Sequence, residues 1–164
     1  MKKKIKLGIA PIGWTNDDMP DLGSEVTFEQ CVSEMALAGY KGCEIGNKYP
    51  KCPKELTAKL EIRGLQIANR WFSSFILTKP FEEVEKDFRE NCEFLKACGA
   101  KRIGASEQSY SIQGQMETPV FEKKYVMNDE EWKKFADGLS KLGKIAKEYE
   151  DNELSSNSTF VIGE

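Results

Sequence analysis

Histidine is absent from all 164 residues of this chain. The usual base of a Ser-His-Asp triad, the commonest transition-metal ligand and the ordinary proton carrier at neutral pH are therefore missing. Any chemistry that the chain performs must depend on carboxylates, amides, lysine or a partner.

The sequence also lacks an apolar run long enough to cross a bilayer, and its basic start, Lys2 to Lys4, is too short for a secretory signal. The residues are 40% hydrophobic and 31% charged, with a formal net charge of −3. This composition predicts a cytoplasmic protein that does not bind membranes. The acidic balance, without a basic stripe, also argues against a nucleic-acid partner.

The five cysteines are odd in number and show no Cys-x-x-Cys spacing, so neither a disulfide framework nor a zinc site is indicated. Reduced and mostly buried thiols are expected. Gly8, Gly13 and Gly46 do not form the dinucleotide fingerprint, and no phosphate loop is present. Nucleotide cofactors are therefore disfavoured.

One pattern is repeated: a helix-like stretch ends at a glycine and runs into a short apolar strand, at Gly39, Gly64 and Gly99. Glycine commonly ends helices because it adopts positive φ without a Cβ penalty. With a further strand over Ile5 to Ala10, the order predicts an α/β fold of four βα units around a parallel sheet. A complete eight-unit barrel needs about 250 residues, so this chain can hold about half of one.

Apolar periodicity predicts four helices, the first beginning after an N-cap at Thr27 and the last after an N-cap at Asn128. The apolar stripe of the last helix, which includes Trp132, is expected to be core. The predicted spans are about Phe28 to Ala38, Lys54 to Arg63, Phe81 to Cys98 and Asp129 to Tyr149.

No glycine and strand follow the fourth helix, and the chain turns at Glu150 into an acidic, serine-rich segment. We therefore predict two regions, a half-barrel over 1–149 and a divergent polar tail over 150–164. Within the tail, Thr159 to Ile162 is either an extra edge strand or a frayed terminus.

Ligands of parallel α/β folds bind at the carboxyl ends of the strands, where four segments are expected: 11–18, 44–48, 69–74 and 106–115. These segments combine aromatic rings with amides and carboxylates, a lining that suits a polyhydroxylated small molecule. The predicted substrate-binding residues are Trp14, Asn69, Trp71, Gln108 and Gln113.

Glu44 and Glu107 stand where strands should end, so each is a candidate catalytic acid or base with a raised pKa in a cleft. The alternative is that each carboxylate caps a helix or binds a neighbouring amide. Lys48 and Arg70 are weaker candidates, since a lone cation near a loop is usually solvated.

Four colinear motifs carry a resemblance to a known family. They are KLGIAPIGWTNDDMP at 6–20, GCEIG at 42–46, QIANRWFSSF at 66–75 and SEQSYSIQGQ at 106–115. Together they resemble the inosose dehydratases, over about Lys4 to Tyr149. The resemblance implies the first four βα units of a xylose-isomerase-like TIM barrel.

The resemblance also implies an activity. It is that of a lyase that removes water from scyllo-inosose (2-keto-myo-inositol), a cyclic polyol ketone, in myo-inositol catabolism. The product is 3D-(3,5/4)-trihydroxycyclohexane-1,2-dione. A divalent metal, manganese or cobalt, and glutathione are the cofactors that the family implies.

The sequence departs from the family pattern after the fourth helix. The family's aspartate, histidine and glutamate metal ligands lie in later strands, so we assign no metal ligand here. One reading is a truncated dehydratase that is inactive by itself. The other is a noncatalytic half-barrel that binds a polyol or closes its sheet as a homo-oligomer, and a related sugar isomerase or epimerase is less favoured.

Overall fold

The structure is a computed structural model that describes residues 5–119 and 121–149. The predicted polar tail at 150–164, with its suggested strand over Thr159 to Ile162, lies outside the described residues. The basic start over Lys2 to Lys4 lies outside them as well.

Strands and α-helices alternate along the described residues. The strands run in the order β1-β2-β3-β4, and each neighbouring pair is parallel, which confirms the predicted βα arrangement. No helix in this part of the chain is long and apolar enough to cross a bilayer. The elements are β1 Gly8–Ile9, α1 Phe28–Leu37, β2 Gly42–Ile45, α2 Pro53–Glu61, β3 Gln66–Ser74, α3 Phe81–Ala97, β4 Gly104–Glu107 and α4 Asp129–Glu148.

The predicted N-caps of α1 and α4 are confirmed, and so are the glycines predicted to end the first three helices. Thr27 Oγ1 accepts a hydrogen bond from the Gln30 amide at 3.1 Å, which satisfies an otherwise unpaired donor at the start of α1. Asn128 and Glu131 form a reciprocal capping box at the start of α4, with both bonds at 3.0 Å. The three glycines that follow α1, α2 and α3 all have positive φ, between 67° and 91°.

The chain divides into two compact units, which are described separately. Among the described residues, unit 1 comprises 5–70 and 95–102, and unit 2 comprises 71–94, 103–119 and 121–149. The division falls within β3. Its residues up to Arg70 pair with β2, and its residues from Trp71 pair with β4.

The core of unit 1 is rich in sulfur. Cys31 and Met35 of α1 pack with Cys43 of β2 and with Tyr49, all of them buried. Burial raises the pKa of Cys43 to about 12, so this thiol stays protonated and unreactive at neutral pH. The cysteines are free, as expected, and only Cys52 among them is exposed.

The core of unit 2 is built around Phe88 of α3, which meets Phe72 of β3 edge to face with ring centroids 5.1 Å apart. Helix α4 contributes Phe135, Leu142 and Ile145 to the same buried cluster. The prediction that Trp132 belongs to this core is wrong: its side chain is 53% exposed. It touches the cluster only from its edge, with its ring centroid 5.9 Å from that of Phe135.

Arg89 joins α3 to α4 and should make the stability of unit 2 depend on pH. Its guanidinium donates to Glu148 at 2.6 Å and to Glu85 at 2.9 Å, and it holds the pKa of Glu148 below the ordinary 4.5. A lowered folded-state pKa adds stability above the unfolded value, and that stability is lost as pH falls through the folded value. We expect Arg89→Ala to flatten the loss of unfolding free energy between about pH 5 and pH 3.

Urea denaturation at a series of pH values tests this expectation. Lys86→Ala is the matched control, since Lys86 is exposed on the same helix and its side chain forms no hydrogen bond or ion pair with the described residues. Equal pH slopes for Arg89→Ala and wild type would contradict the assignment.

Candidate functional site

The strand ends carry the predicted carboxylates. Glu44 is the penultimate residue of β2, and Glu107 is the last residue of β4. The prediction that 69–74 follows the third strand is wrong, because β3 continues to Ser74. The strand is long because it pairs with β2 over its first part and with β4 over its second. Asn69 and Trp71 are therefore strand residues.

In unit 1, Glu44 is held by a single side chain. Asn69 lies opposite it in the β2 and β3 register, and the Asn69 Nδ2 group donates to Glu44 Oε2 at 2.6 Å. The glutamate is half-buried, and its other oxygen, Oε1, accepts no hydrogen bond from the described residues. One carboxylate oxygen is thus oriented and the other remains available to a ligand.

Trp14 of unit 1 is oriented by α1. Its indole Nε1 donates to Glu34 Oε2 at 2.6 Å, and Glu34 Oε1 accepts from Gln30 Nε2 at 2.9 Å. The bond from Gln30 and, to a smaller extent, the bond from Trp14 lower the pKa of the Glu34 carboxyl. The half-buried ring of Trp14 is therefore fixed through its polar edge.

In unit 2, the carboxylate of Glu107 is fully engaged. Its Oε2 accepts from the Ser74 hydroxyl at 2.9 Å and from the Ile76 amide at 3.0 Å, and its Oε1 accepts from the Ser109 amide at 3.0 Å. Ser74 is completely buried. Glu107 therefore ties the end of β3 to the end of β4.

The other predicted site residues of unit 2 differ in their contacts. Trp71 is 39% exposed. Gln108 Nε2 donates to Ser106 Oγ at 3.0 Å, which orients its amide. The Gln113 side chain is exposed, and the backbone amide of Gln113 donates to Ser111 Oγ at 3.1 Å.

Sequence reasoning missed an aromatic pair in unit 2. Tyr110 and Tyr125 stack with ring centroids 4.2 Å apart, and the Tyr125 hydroxyl donates to Glu131 at 2.6 Å. That bond to a carboxylate raises the pKa of Tyr125 to about 12. No sequence signal indicates the pair, because the two tyrosines lie in an irregular segment without periodicity.

Lys48 of unit 1, for which the sequence predicts a solvated cation, is exposed, and it also binds protein groups. Its ammonium donates to three backbone carbonyls, those of Gly23, Ser24 and Val26, at 2.7 to 3.0 Å. The contact joins segments more than twenty residues apart, so no local pattern could have indicated it.

The predicted site residues thus divide between the two units. Unit 1 contains Trp14, Glu44 and Asn69, and unit 2 contains the remaining four. Within residues 5–119 and 121–149, no group of three or more cysteine, aspartate, glutamate or histidine side chains could hold a metal ion.

The chain is similar to curated inosose dehydratases. It is 66% identical over 144 residues to one from Clostridium perfringens, a match that covers 88% of this chain and 48% of that protein. It is 63% identical over 146 residues to one from Clostridium beijerinckii, covering 89% of this chain and 49% of that protein. The chain therefore spans about half the length of these relatives. No protein-family model matches it.

The fold is shared with a solved structure of the IolI protein, described as having a binding zinc atom. The TM-score is 0.60 at 17% identity, and the match covers 88% of this chain and 49% of that one. A fusion of a xylose isomerase-like TIM barrel with 4-hydroxyphenylpyruvate dioxygenase gives 0.62 at 15% identity, covering 88% and 20%. At these identities the likeness shows the fold alone, which is half of a xylose-isomerase-like barrel.

Proposed function

We propose that this chain, which belongs to the inosose dehydratase family over the stretch that it shares with its relatives, supplies one half of a scyllo-inosose dehydratase site. The product would be 3D-(3,5/4)-trihydroxycyclohexane-1,2-dione, and the reaction a step of myo-inositol catabolism. The observation that carries the proposal is the 66% identity over 144 residues. The half contributed is the N-terminal one, with the four βα units of residues 1–149.

Dehydration of such a ketone needs proton transfer at two positions. A base removes the proton α to the ketone, and an acid protonates the hydroxyl that leaves from the adjacent carbon as water. The resulting enol becomes the dione by tautomerisation. We assign proton transfer to Glu44, because Asn69 orients one of its oxygens and the other accepts no bond from the described residues.

Glu107 remains the second candidate for a catalytic carboxylate. Its three hydrogen bonds favour a role in positioning, because both of its oxygens already accept from the protein. The sequence-based roles of the other residues stay predictions: Trp14 in unit 1 and Trp71 in unit 2 as apolar surfaces for C–H groups, and Gln108 and Gln113 in unit 2 as amides for hydroxyls.

The divalent metal that the family implies does not fit the described residues. They contain no group of three or more potential ligand side chains of the usual types, and the sequence has no histidine. We therefore derive no step through manganese or cobalt. We propose that the ligands come from the part of the relatives' length that this chain does not span. Glutathione stays a prediction from the resemblance.

A second candidate function is a noncatalytic half-barrel that forms a homo-oligomer. In the described part of the chain β1 pairs only with β2 and β4 pairs only with β3. Such sheet edges expose backbone donors and acceptors that favour pairing with another chain. A mass of twice the monomer in light scattering, without binding of the ketone, would favour this function over the dehydratase half-site.

Binding of scyllo-inosose, measured by isothermal titration calorimetry, tests the first proposal. We expect Glu44→Gln to weaken binding about tenfold or more, since a hydrogen bond to a charged group contributes about 1.5 to 3 kcal/mol. Glu61→Gln is the matched control, because Glu61 is exposed and its side chain forms no hydrogen bond or ion pair with the described residues. Failure of the folded wild-type chain to bind, or equal binding by Glu44→Gln, would contradict the proposal.

A further inference from the structure

The segment between β1 and α1 has few hydrogen bonds within itself, so contacts with other parts of the chain are needed to order it. Residues 14–26, here called the first loop, are mostly exposed and lie between the short helical turn Pro11–Gly13 and α1. Only three backbone-to-backbone hydrogen bonds lie within it, from the amides of Asn16, Leu22 and Val26 at 2.9 to 3.2 Å. The Asn16 side chain accepts two more, from the amides of Asp18 and Met19. Few internal bonds and little burial are features of a segment that opens easily.

The first loop folds back on itself at Gly23. This residue has a φ of +73°, and a Cβ built there would fall 1.8 Å from the carbonyl oxygen of Trp14. Only glycine fits, because any side chain would collide with backbone atoms and because a positive φ is unfavourable for other residues. The end of the first loop is thereby packed against Trp14, the predicted wall of the site.

The Lys48 ammonium donates hydrogen bonds to the backbone carbonyls at that end of the first loop. Its Nζ lies 3.0 Å from Gly23 O, 2.9 Å from Ser24 O and 2.7 Å from Val26 O. An ammonium has three protons, so each carbonyl receives one charge-assisted hydrogen bond. A single side chain from the segment after β2 thus binds three carbonyl groups within residues 23–26.

The neighbouring residue makes a second connection. The Asn47 amide donates to Asp17 at 3.1 Å to Oδ2 and 3.4 Å to Oδ1. Just before it, Gly46 lies so close to Pro11 that a Cβ there would fall 2.7 Å from Pro11 Cγ. The segment after β2 therefore contacts both the start and the end of the first loop.

We propose that Lys48 is a positioning residue, which fixes the first loop and through it the ring of Trp14 as a preformed wall of the site. The inference deepens the proposed function by adding a residue that acts on substrate recognition without touching substrate. A preformed wall improves affinity, because the conformational entropy of the loop is already lost before the ligand binds.

Hydrogen exchange of the 164-residue chain, measured by mass spectrometry without ligand, tests the proposal. We expect Lys48→Met to speed exchange about tenfold or more in peptides covering 14–26, while peptides from α3 exchange as in wild type. Lys48→Arg should restore slow exchange in part, because it keeps the charge and the donors. Lys51→Ala is the matched control: Lys51 is exposed three residues further along the chain, and its side chain forms no hydrogen bond or ion pair with the described residues.

A second readout follows Trp14 itself. In a background with Trp71→Phe and Trp132→Phe, Lys48→Met should make Trp14 fluorescence more easily quenched by acrylamide. Exchange and quenching equal to those of the Lys51→Ala control would overturn the proposal, as would faster exchange throughout the chain. Because no ligand is present, either result leaves the assignment of the substrate to be decided by calorimetry.

Discussion

Phe88→Ala is expected to lower the free energy of unfolding by about 3 to 5 kcal/mol. The side chain is completely buried and packs edge to face on Phe72. Its removal leaves a cavity between α3 and β3 in unit 2, which the surrounding aromatic and branched side chains cannot fill without leaving their rotamers. This loss is a large share of the free energy of unfolding of a typical domain, which is roughly 5 to 15 kcal/mol.

Phe121→Ala is the control for this prediction, because it removes the same atoms from a side chain that is 88% exposed. Its effect should stay within about 0.5 kcal/mol. Urea denaturation followed by circular dichroism gives both values. Similar losses for the two variants would show that the cluster around Phe88 is not the core of unit 2.

Glu107→Ala is expected to destabilise the chain by about 3 kcal/mol. The substitution removes the acceptor of three hydrogen bonds, and an unsatisfied buried donor costs about 1 to 3 kcal/mol. The hydroxyl of Ser74 is the most affected of the three donors, since this residue is completely buried. The bonds share one carboxylate, so their individual costs should not add fully.

Glu117→Ala serves as the comparison, because Glu117 is exposed and its side chain forms no hydrogen bond or ion pair with the described residues. The double variant with Ser74→Ala and Glu107→Ala should lose less stability than the two single changes together, since it also removes the orphaned hydroxyl. A Glu107→Ala variant as stable as Glu117→Ala would show that this carboxylate does not hold the strand ends together, and would strengthen its candidacy for proton transfer.

The helices and their ends were predictable because their causes are local. The cap at Asn128 needs only a partner three residues away, and the end of α1 needs only a glycine at Gly39. Trp132 shows the limit of periodicity. It continues the apolar stripe of α4, but it lies in the first turn, where the helix has only the edge of the core to cover.

The extent of β3 and the hydrogen bonds of the candidate site could not be predicted in the same way. The strand continues to Ser74 because β4 pairs with its second part, which is a tertiary fact. The Glu44 and Asn69 contact depends on the register between β2 and β3, including a shift after Cys43. General rules for parallel sheets indicate which residues stand at strand ends, but not which donors satisfy them.

In the proposed function this chain provides a working half of a dehydratase site, in which Glu44 transfers a proton. The most direct test joins residues 1–149 to the second half of the Clostridium perfringens relative and measures the ultraviolet absorbance of the dione formed from scyllo-inosose with manganese. We expect turnover by the joined protein and a loss of activity of about a hundredfold or more with Glu44→Gln. A folded joined protein without turnover, or one that Glu44→Gln leaves fully active, would contradict it.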